Sequence, residues 1–458
     1  MPTRPVPSVG DVTRQLTLIS LCLGLFLAQT DTTAVNLALP SMARELSTQQ
    51  WVMDAYHLAF AALLLTGGTL GDRFGRRRLF RIGLALFVAG SVLCALSPAL
   101  VAGRAVQGAG AGLAIPQSLA IMSVVFRPGR ERDRAMAAWS AVTGIALASG
   151  PLLGGLLVQK LAWQDIFWLN VPLGLAALAL TFAVPESSAG TARGLDPAGQ
   201  LLGIAFLATL TYTVIEGGVL PGVLAAVSGA AFVLVERREQ AMLPLHMVRR
   251  GQVPVAAVVA LCMTFGMYGM LLLAGIELQH GQGALRAGLE LLPMPVAVVI
   301  GSPLTGRLVT RVGPRVPMTA GMALLAAGLG AFAVTGLRQP WLEIVFAVLG
   351  AGLALTAGPV VGVAVSTVPA DRAGLAGGIA NLARMFGAAL GVAVLGAVLA
   401  RAGLRPALGT GAAVELAGAL VAAKGVQPRR PRNAEAVDTA GLDEPEPSNS
   451  TENATSPR

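Results

Sequence analysis

Most of the chain is a string of apolar runs, each about 17–27 residues long and set apart by short charged or Pro/Gly-rich breaks. At 1.5 Å of rise per residue, such runs match the hydrocarbon thickness of a bilayer. Within that layer the backbone must satisfy its own hydrogen bonds, which leaves helices or a closed barrel. These runs are continuous rather than alternating, so helices are expected. The chain is 54% hydrophobic and 12% charged, with 56 glycines in 458 residues, whereas soluble domains average about 25% charged. The fold class is all-α integral membrane. The first run is too long for a signal-peptide core and lacks a cleavage pattern, so it reads as a retained span. Cys22, Cys94 and Cys262 all fall in apolar runs, and no disulfide framework or metal site is legible.

Fourteen spans are expected, at about 16–39, 51–70, 80–97, 100–125, 135–158, 165–184, 198–216, 219–235, 253–276, 285–306, 317–336, 341–366, 374–400 and 408–425. The last is the weakest, being short and carrying Glu415. An even number of spans puts both termini on one side. That side holds 25 Lys/Arg against six on the other, with Arg104 and Arg384 inside spans. The positive-inside rule makes it cytoplasmic, and the net charge of +9 is then a topology signal, with no nucleic-acid partner implied.

"GTLGDRFGRR" (68–77) is echoed by "GRLVTRVGPR" (306–315), and Asp133-Arg134 by Asp371-Arg372. The repeat suggests two six-helix bundles, 16–184 and 253–426, with a substrate site between parallel halves. Residues 185–252 would hold two linker helices, residues 1–15 a cytoplasmic N-terminus and residues 427–458 a disordered cytoplasmic tail.

Asp31 interrupts an otherwise uncharged run from Leu16 to Leu39, where a carboxylate costs about 2.5–3.5 kcal/mol even on a lenient insertion scale. A low-dielectric bundle resists ionisation of such a group and a nearby cation favours it, a competition suited to taking up and releasing a proton. A structural ion pair is the alternative. Arg104 and Gln107 share a face of span 4. A buried Arg cannot shed its proton and needs an acceptor, and the early membrane acids are Asp31 and Asp54. Asp54 and His57 share a face of span 2, either as titrating groups or as the wall of a wet cavity. Gly150, Pro151, Gly154 and Gly155 mark span 5 as close-packed and able to bend.

The chain resembles the major facilitator superfamily, and within it the fourteen-helix drug:proton antiporters, closest to antibiotic exporters of actinobacteria. The resemblance covers about residues 15–425 and rests on "TDTTAVNLALP" (30–40), "QWVMDAYHLAFA" (50–61), "GGTLGDRFGRRR" (67–78), "GRAVQGAGAG" (103–112), "ALASGPLLGG" (146–155), "IFWLNVP" (166–172), "AGLELLP" (287–293) and "NLARMFGAALG" (381–391). It departs in a short "ELQHGQGALRAG" (277–288) and in "WQDIF", where an Arg commonly precedes Ile-Phe.

The resemblance implies a proton-coupled exporter of lipophilic drugs in a bacterial cytoplasmic membrane, with a small lipophilic or cationic substrate. It would act as a monomer, without a cofactor, on the proton motive force. Asp31 becomes the candidate proton acceptor with Arg104 modulating it, and Asp54 a second acid. Gly68, Gly71, Asp72, Arg73, Gly75, Arg76 and Arg77 become a cytoplasmic gate, weaker in the second copy because Thr310 replaces the acid. Gly150, Pro151, Gly154 and Gly155 become the antiporter motif. Candidate cavity residues are Asn36, Tyr56, His57, Gln107, Gln117, Tyr212, Glu216, Glu290, Asn381 and Arg384. The two lysines, Lys160 and Lys424, lie in no phosphate loop and the three histidines in no zinc motif, which disfavours an ATP-driven pump or an enzyme. A carrier of the same fold for one metabolite is the rival.

Overall fold

The computed structural model describes residues 10–96, 99–127, 129–188, 196–238, 251–279, 283–366, 368 and 373–427. Asp371-Arg372, His280, both ends of the chain and most of the loop after Arg238 lie outside the described residues.

The described secondary structure is helical: α1 (Asp11–Met42), α2 (Leu46–Phe74), α3 (Arg76–Leu96), α4 (Leu100–Val125), α5 (Arg130–Lys160), α6 (Gln164–Leu180, prolonged by a 3-10 turn Thr181–Ala183), α7 (Pro197–Ile215) and α8 (Val219–Val235). There follow α9 (Val253–Gln279), α10 in two pieces (Ala284–Leu291 and Pro293–Val312), α11 (Arg315–Thr335), α12 (Trp341–Ser366), α13 (Ala373–Ala402) and α14 (Leu404–Gly425). Pro293 and Pro295 lack the amide hydrogens that would carry α10 through as one ladder, which accounts for its break. Helix α7 starts at Asp196, whose carboxylate accepts from Gly199 N–H at 2.9 Å just before Pro197.

Twelve of the described helices, with α10 taken as one, are long and apolar enough to cross a membrane. The expected fourteen spans are therefore not all met on length and composition. Helix α8 is apolar but 17 residues long, and α2 carries Gln49, Gln50, Asp54 and His57, all buried. Helix α14, expected to be weak, is 22 residues long and among the twelve.

Helices α1–α6 pack around one another and α9–α14 likewise, while α7 and α8 pair and α7 reaches α2 and α13. The two groups meet where α2 lies on α13, α5 on α10 and α1 on α9. Contacts between them gather at the end where α1 gives way to α2. Gln50 Nε2 donates to Val392 O and Ala393 O at 3.1 and 2.8 Å, and Gln279 Nε2 donates to Leu37 O at 2.6 Å. Leu285 N–H donates to Gln159 Oε1 at 3.0 Å. Toward the opposite end, a Cβ placed on Gly68, Gly306, Gly358 or Gly362 would meet open space.

Candidate proton-coupling site

Asp31 sits in α1 with 1% exposure, and Arg104 reaches it from α4 with none. Arg104 Nη1 donates to Asp31 Oδ2 and, at 2.9 Å, to Gln107 Oε1. The helical spacing of Arg104 and Gln107 puts both on one face, and Gln107 Nε2 in turn donates to Asp31 Oδ1 at 3.2 Å and to Ser91 Oγ at 2.8 Å. Asn170 of α6 completes the carboxylate's shell, its Nδ2 donating to Oδ1 at 2.7 Å. On its other side Arg104 Nε donates to Val52 O at 3.0 Å, and its guanidinium lies 4.5 Å over the Tyr56 ring. Five helices thus converge on one charge pair shut away from solvent, and the Arg104 acceptor is Asp31, not Asp54.

Asn170, Ser91 and Cys94 (Sγ to Gln107 Oε1, 3.5 Å) had no assigned role from the sequence. The available signal was a polar side chain inside an apolar run. Because its bond to Asp31 is charge-assisted, Asn170→Ala is expected to cost about 1.5–3 kcal/mol, read as a lower melting temperature in detergent.

Asp54 (0% exposed) and His57 (1%) share a helix face but do not hydrogen-bond to each other; among the described residues the Asp54 carboxylate has no partner, and His57 has at most the backbone of Met53 as a polar one. His57 is no wet wall: its ring stands edge-on to Tyr268 of α9, 4.8 Å between centroids, across the boundary of the halves.

The remaining candidate cavity residues are dispersed. Tyr56 covers Arg104 and donates from its hydroxyl to Ala28 O at 3.2 Å. Asn36 faces α9; in the amide orientation its neighbours require, it donates to Leu271 O at 2.6 Å. Gln117 Nε2 donates to Gly67 O at 2.6 Å and joins α4 to α2. Glu216 accepts from Trp51 Nε1 at 3.0 Å and Tyr212 packs on the same indole, so both fasten α7 to α2. Glu290 likewise accepts from Gln339 Nε2 at 2.8 Å and pairs with Arg286 at 3.4 Å. Arg384 Nη1 donates to Asn381 Oδ1 at 3.4 Å, and its Nε has no partner.

At the α2–α3 junction Gly75 adopts φ +106°, a left-handed conformation that ends α2 and turns the chain into α3. Across the turn Arg76 donates to Asp72 Oδ1 from Nε at 3.0 Å and Nη2 at 2.7 Å. Glu186, beyond α6, accepts from Arg77 N–H at 3.0 Å, and Arg76 N–H donates to Ser187 O at 2.9 Å. Gly68 and Gly71 lie on the preceding turns, and exposed Arg73 sits over Phe74. The turn is tied to its own half by Glu186, an acid the sequence did not single out. In the second copy Thr310 Oγ1 bonds Arg307 O at 2.7 Å.

The glycines of α5 face two ways. A Cβ at Gly150 would strike Thr33, and one at Gly154 would lie 2.6 Å from Ala34 O, both in α1. One at Gly155 would lie 2.6 Å from Ala284 O in the other half, and Gly288 meets the carbonyl of Pro151. Small residues here let α5 touch α1 and α10 backbone to backbone.

The sequence profile of the Major Facilitator Superfamily matches residues 21–392 and again 297–447. The chain belongs to the major facilitator superfamily. It is 40% identical over 409 residues to the multidrug resistance protein Stp of Mycobacterium tuberculosis, covering 85% of this chain and 76% of that one. It is 37% identical to the methylenomycin A resistance protein of Bacillus subtilis (83% and 87% covered) and 34% identical to the tetracenomycin C resistance and export protein of Streptomyces glaucescens (84% and 76%). Among solved structures, a mutant of the peptide transporter POT in complex with sulfate superposes with a TM-score of 0.68 at 17% identity, over 88% of this chain and 93% of that one. That likeness carries the superfamily fold alone. A major facilitator protein is a membrane transporter, not an enzyme.

Proposed function

We propose that this transporter exports lipophilic drugs or antibiotics from the cytoplasm in exchange for protons, by alternating access. The observation that carries the reading is the buried Asp31–Arg104 pair with its Gln107 and Asn170 donors. A carboxylate shut in the membrane with one cation can change charge state only when the surrounding helices give it a path to water. Protonation from outside releases Arg104 from Asp31 and favours substrate release there; loss of the proton to the cytoplasm restores the pair. The named relatives, multidrug and antibiotic resistance proteins, support the substrate class.

All fourteen helices cross the membrane in this reading, with α7 and α8 a linker pair between two six-helix bundles and both termini cytoplasmic. The excess of Lys/Arg on one side, 25 against six, supports the orientation. The conformation then has its outer end closed by Gln50, Gln279 and Gln159. The α2–α3 turn and its glycines gate the cytoplasmic end when the halves close there.

Bacterial cells producing the protein are expected to hold less ethidium than cells without it, the difference vanishing on addition of a protonophore. Ethidium levels equal in both cell types across a panel of lipophilic dyes would favour a carrier for a single metabolite.

A further inference from the structure

The C-terminal half holds a buried acid that the scheme above does not use. Glu415 of α14 is 0% exposed, and among the described residues its carboxyl meets no side-chain donor, the backbone N–H of Gly266 being the one donor close to it. Its carboxyl lies where the Cβ of any larger residue at Gly266 would sit, so the glycine in α9 makes its room. It borders a small cavity of about 10 Å3, walled by Met267, Met270 and Met294 and by leucines of α11 and α12.

The repeat shows what this cavity corresponds to. Gly68 and Gly306 stand 238 residues apart, as do Asp133 and Asp371. The same offset carries Met294 onto Tyr56, Leu325 onto Phe87 and Leu349 onto Ala111. Those three pack together in the N-terminal half, with the Tyr56 ring under Arg104. These lining positions of the cavity are therefore the repeat counterparts of a packed cluster beside the Asp31–Arg104 pair. Arg104 itself maps onto Leu342, so the C-terminal copy has an acid, delivered from a different helix, and no guanidinium in that position.

An ionised carboxylate in such a place is strongly unfavourable. Cys262, one turn before Gly266 on α9, is the titratable group within electrostatic reach. Among the described residues, none of the charged groups on the surrounding helices, including Glu277, Glu290, Glu343, Arg315, Arg384 and Arg401, pairs with it. The methionine wall belongs to α9 and α10, which also meet α1 and α5 of the other half. Any rearrangement between the halves moves that wall, and unbranched Met side chains repack readily.

We propose that Glu415 is a second proton-binding carboxyl, protonated in this conformation and exchanging its proton with the space between the halves when α9 and α10 shift. Only the use of that proton for transport rests on the antiport reading; its binding and exchange do not.

The test uses the full-length protein in liposomes and dicyclohexylcarbodiimide, which reacts with protonated carboxyls in apolar surroundings. Peptide mapping is expected to find Glu415 modified, with modification falling about tenfold per pH unit above its midpoint. Infrared spectra are expected to show a protonated-acid carbonyl band that declines as pH rises and is reduced in Glu415→Gln. Absent or pH-independent modification of Glu415, or a band unchanged by Glu415→Gln, overturns the proposal. If Glu415→Gln fails to fold, the wild-type labelling still decides. Wild-type protein that ignores a pH gradient while Glu415 labelling follows pH would sink the antiport reading and leave this site standing.

Discussion

Arg104→Ala is expected to leave little folded protein, and the partner substitution is expected to rescue it. Asp31 is 1% exposed and, among the described residues, pairs with Arg104 alone, which has no exposure at all. Removing one partner of such a buried pair costs about 3–5 kcal/mol, because the other charge stays behind. Total stabilities of about 5–15 kcal/mol leave little margin. The reverse single change is expected to be milder because Asn is isosteric with Asp, whereas Arg104→Ala also leaves a cavity, and because the charge left behind, though it cannot be shed, still has acceptors. In Asp31→Asn the guanidinium keeps Val52 O, Gln107 Oε1 and the Tyr56 ring. The double variant Asp31→Asn/Arg104→Met removes both charges and fills most of the volume, so it is expected to recover the folded state without transport. Size-exclusion profiles after heating measure the three variants side by side. Equal stability of Arg104→Ala and Asp31→Asn would contradict the asymmetry.

The second large effect separates packing within a half from closure between halves. Gly154→Leu drives a side chain into Ala34 of α1, inside one bundle. Overpacking of this kind typically costs about 1–3 kcal/mol, more where the obstacle is backbone; misfolding is the expected result. Gly288→Leu instead meets the carbonyl of Pro151 across the boundary of the halves. Each bundle can keep its own packing, and the closed end is forced apart. The variant is expected to fold, to lose transport, and to lengthen the distance between spin labels at Leu161→Cys and Arg338→Cys. An unchanged distance with transport intact would show that this contact does not set the closed state.

The helices were legible in the sequence because burial in lipid demands long apolar runs, and that demand is local. Exceptions arose where the demand is relaxed by neighbours. Gln49, Gln50, Asp54 and His57 lower the apolar character of α2 because they are buried against other helices rather than lipid. Glu415 made α14 look marginal for the same reason. At the site, the need of Arg104 for an acid was readable, since a guanidinium cannot discharge. Which acid it meets depends on how α1 is rotated against α4, and spacing along one helix says nothing of that. Asn170 and Glu186 were missed because a single polar residue has no period to reveal it. That Trp51 at the start of α2 meets both Tyr212 and Glu216 depends on how α7 lies against α2, which spacing along one helix does not reveal.

The most direct measurement is transport in proteoliposomes under an imposed pH gradient, with ethidium as substrate, comparing wild type with Asp31→Asn. The account predicts gradient-driven ethidium movement in wild type and its loss in Asp31→Asn while ethidium binding is retained. Movement indifferent to both the gradient and the substitution would contradict it, leaving a facilitated carrier in which Asp31 is a structural charge.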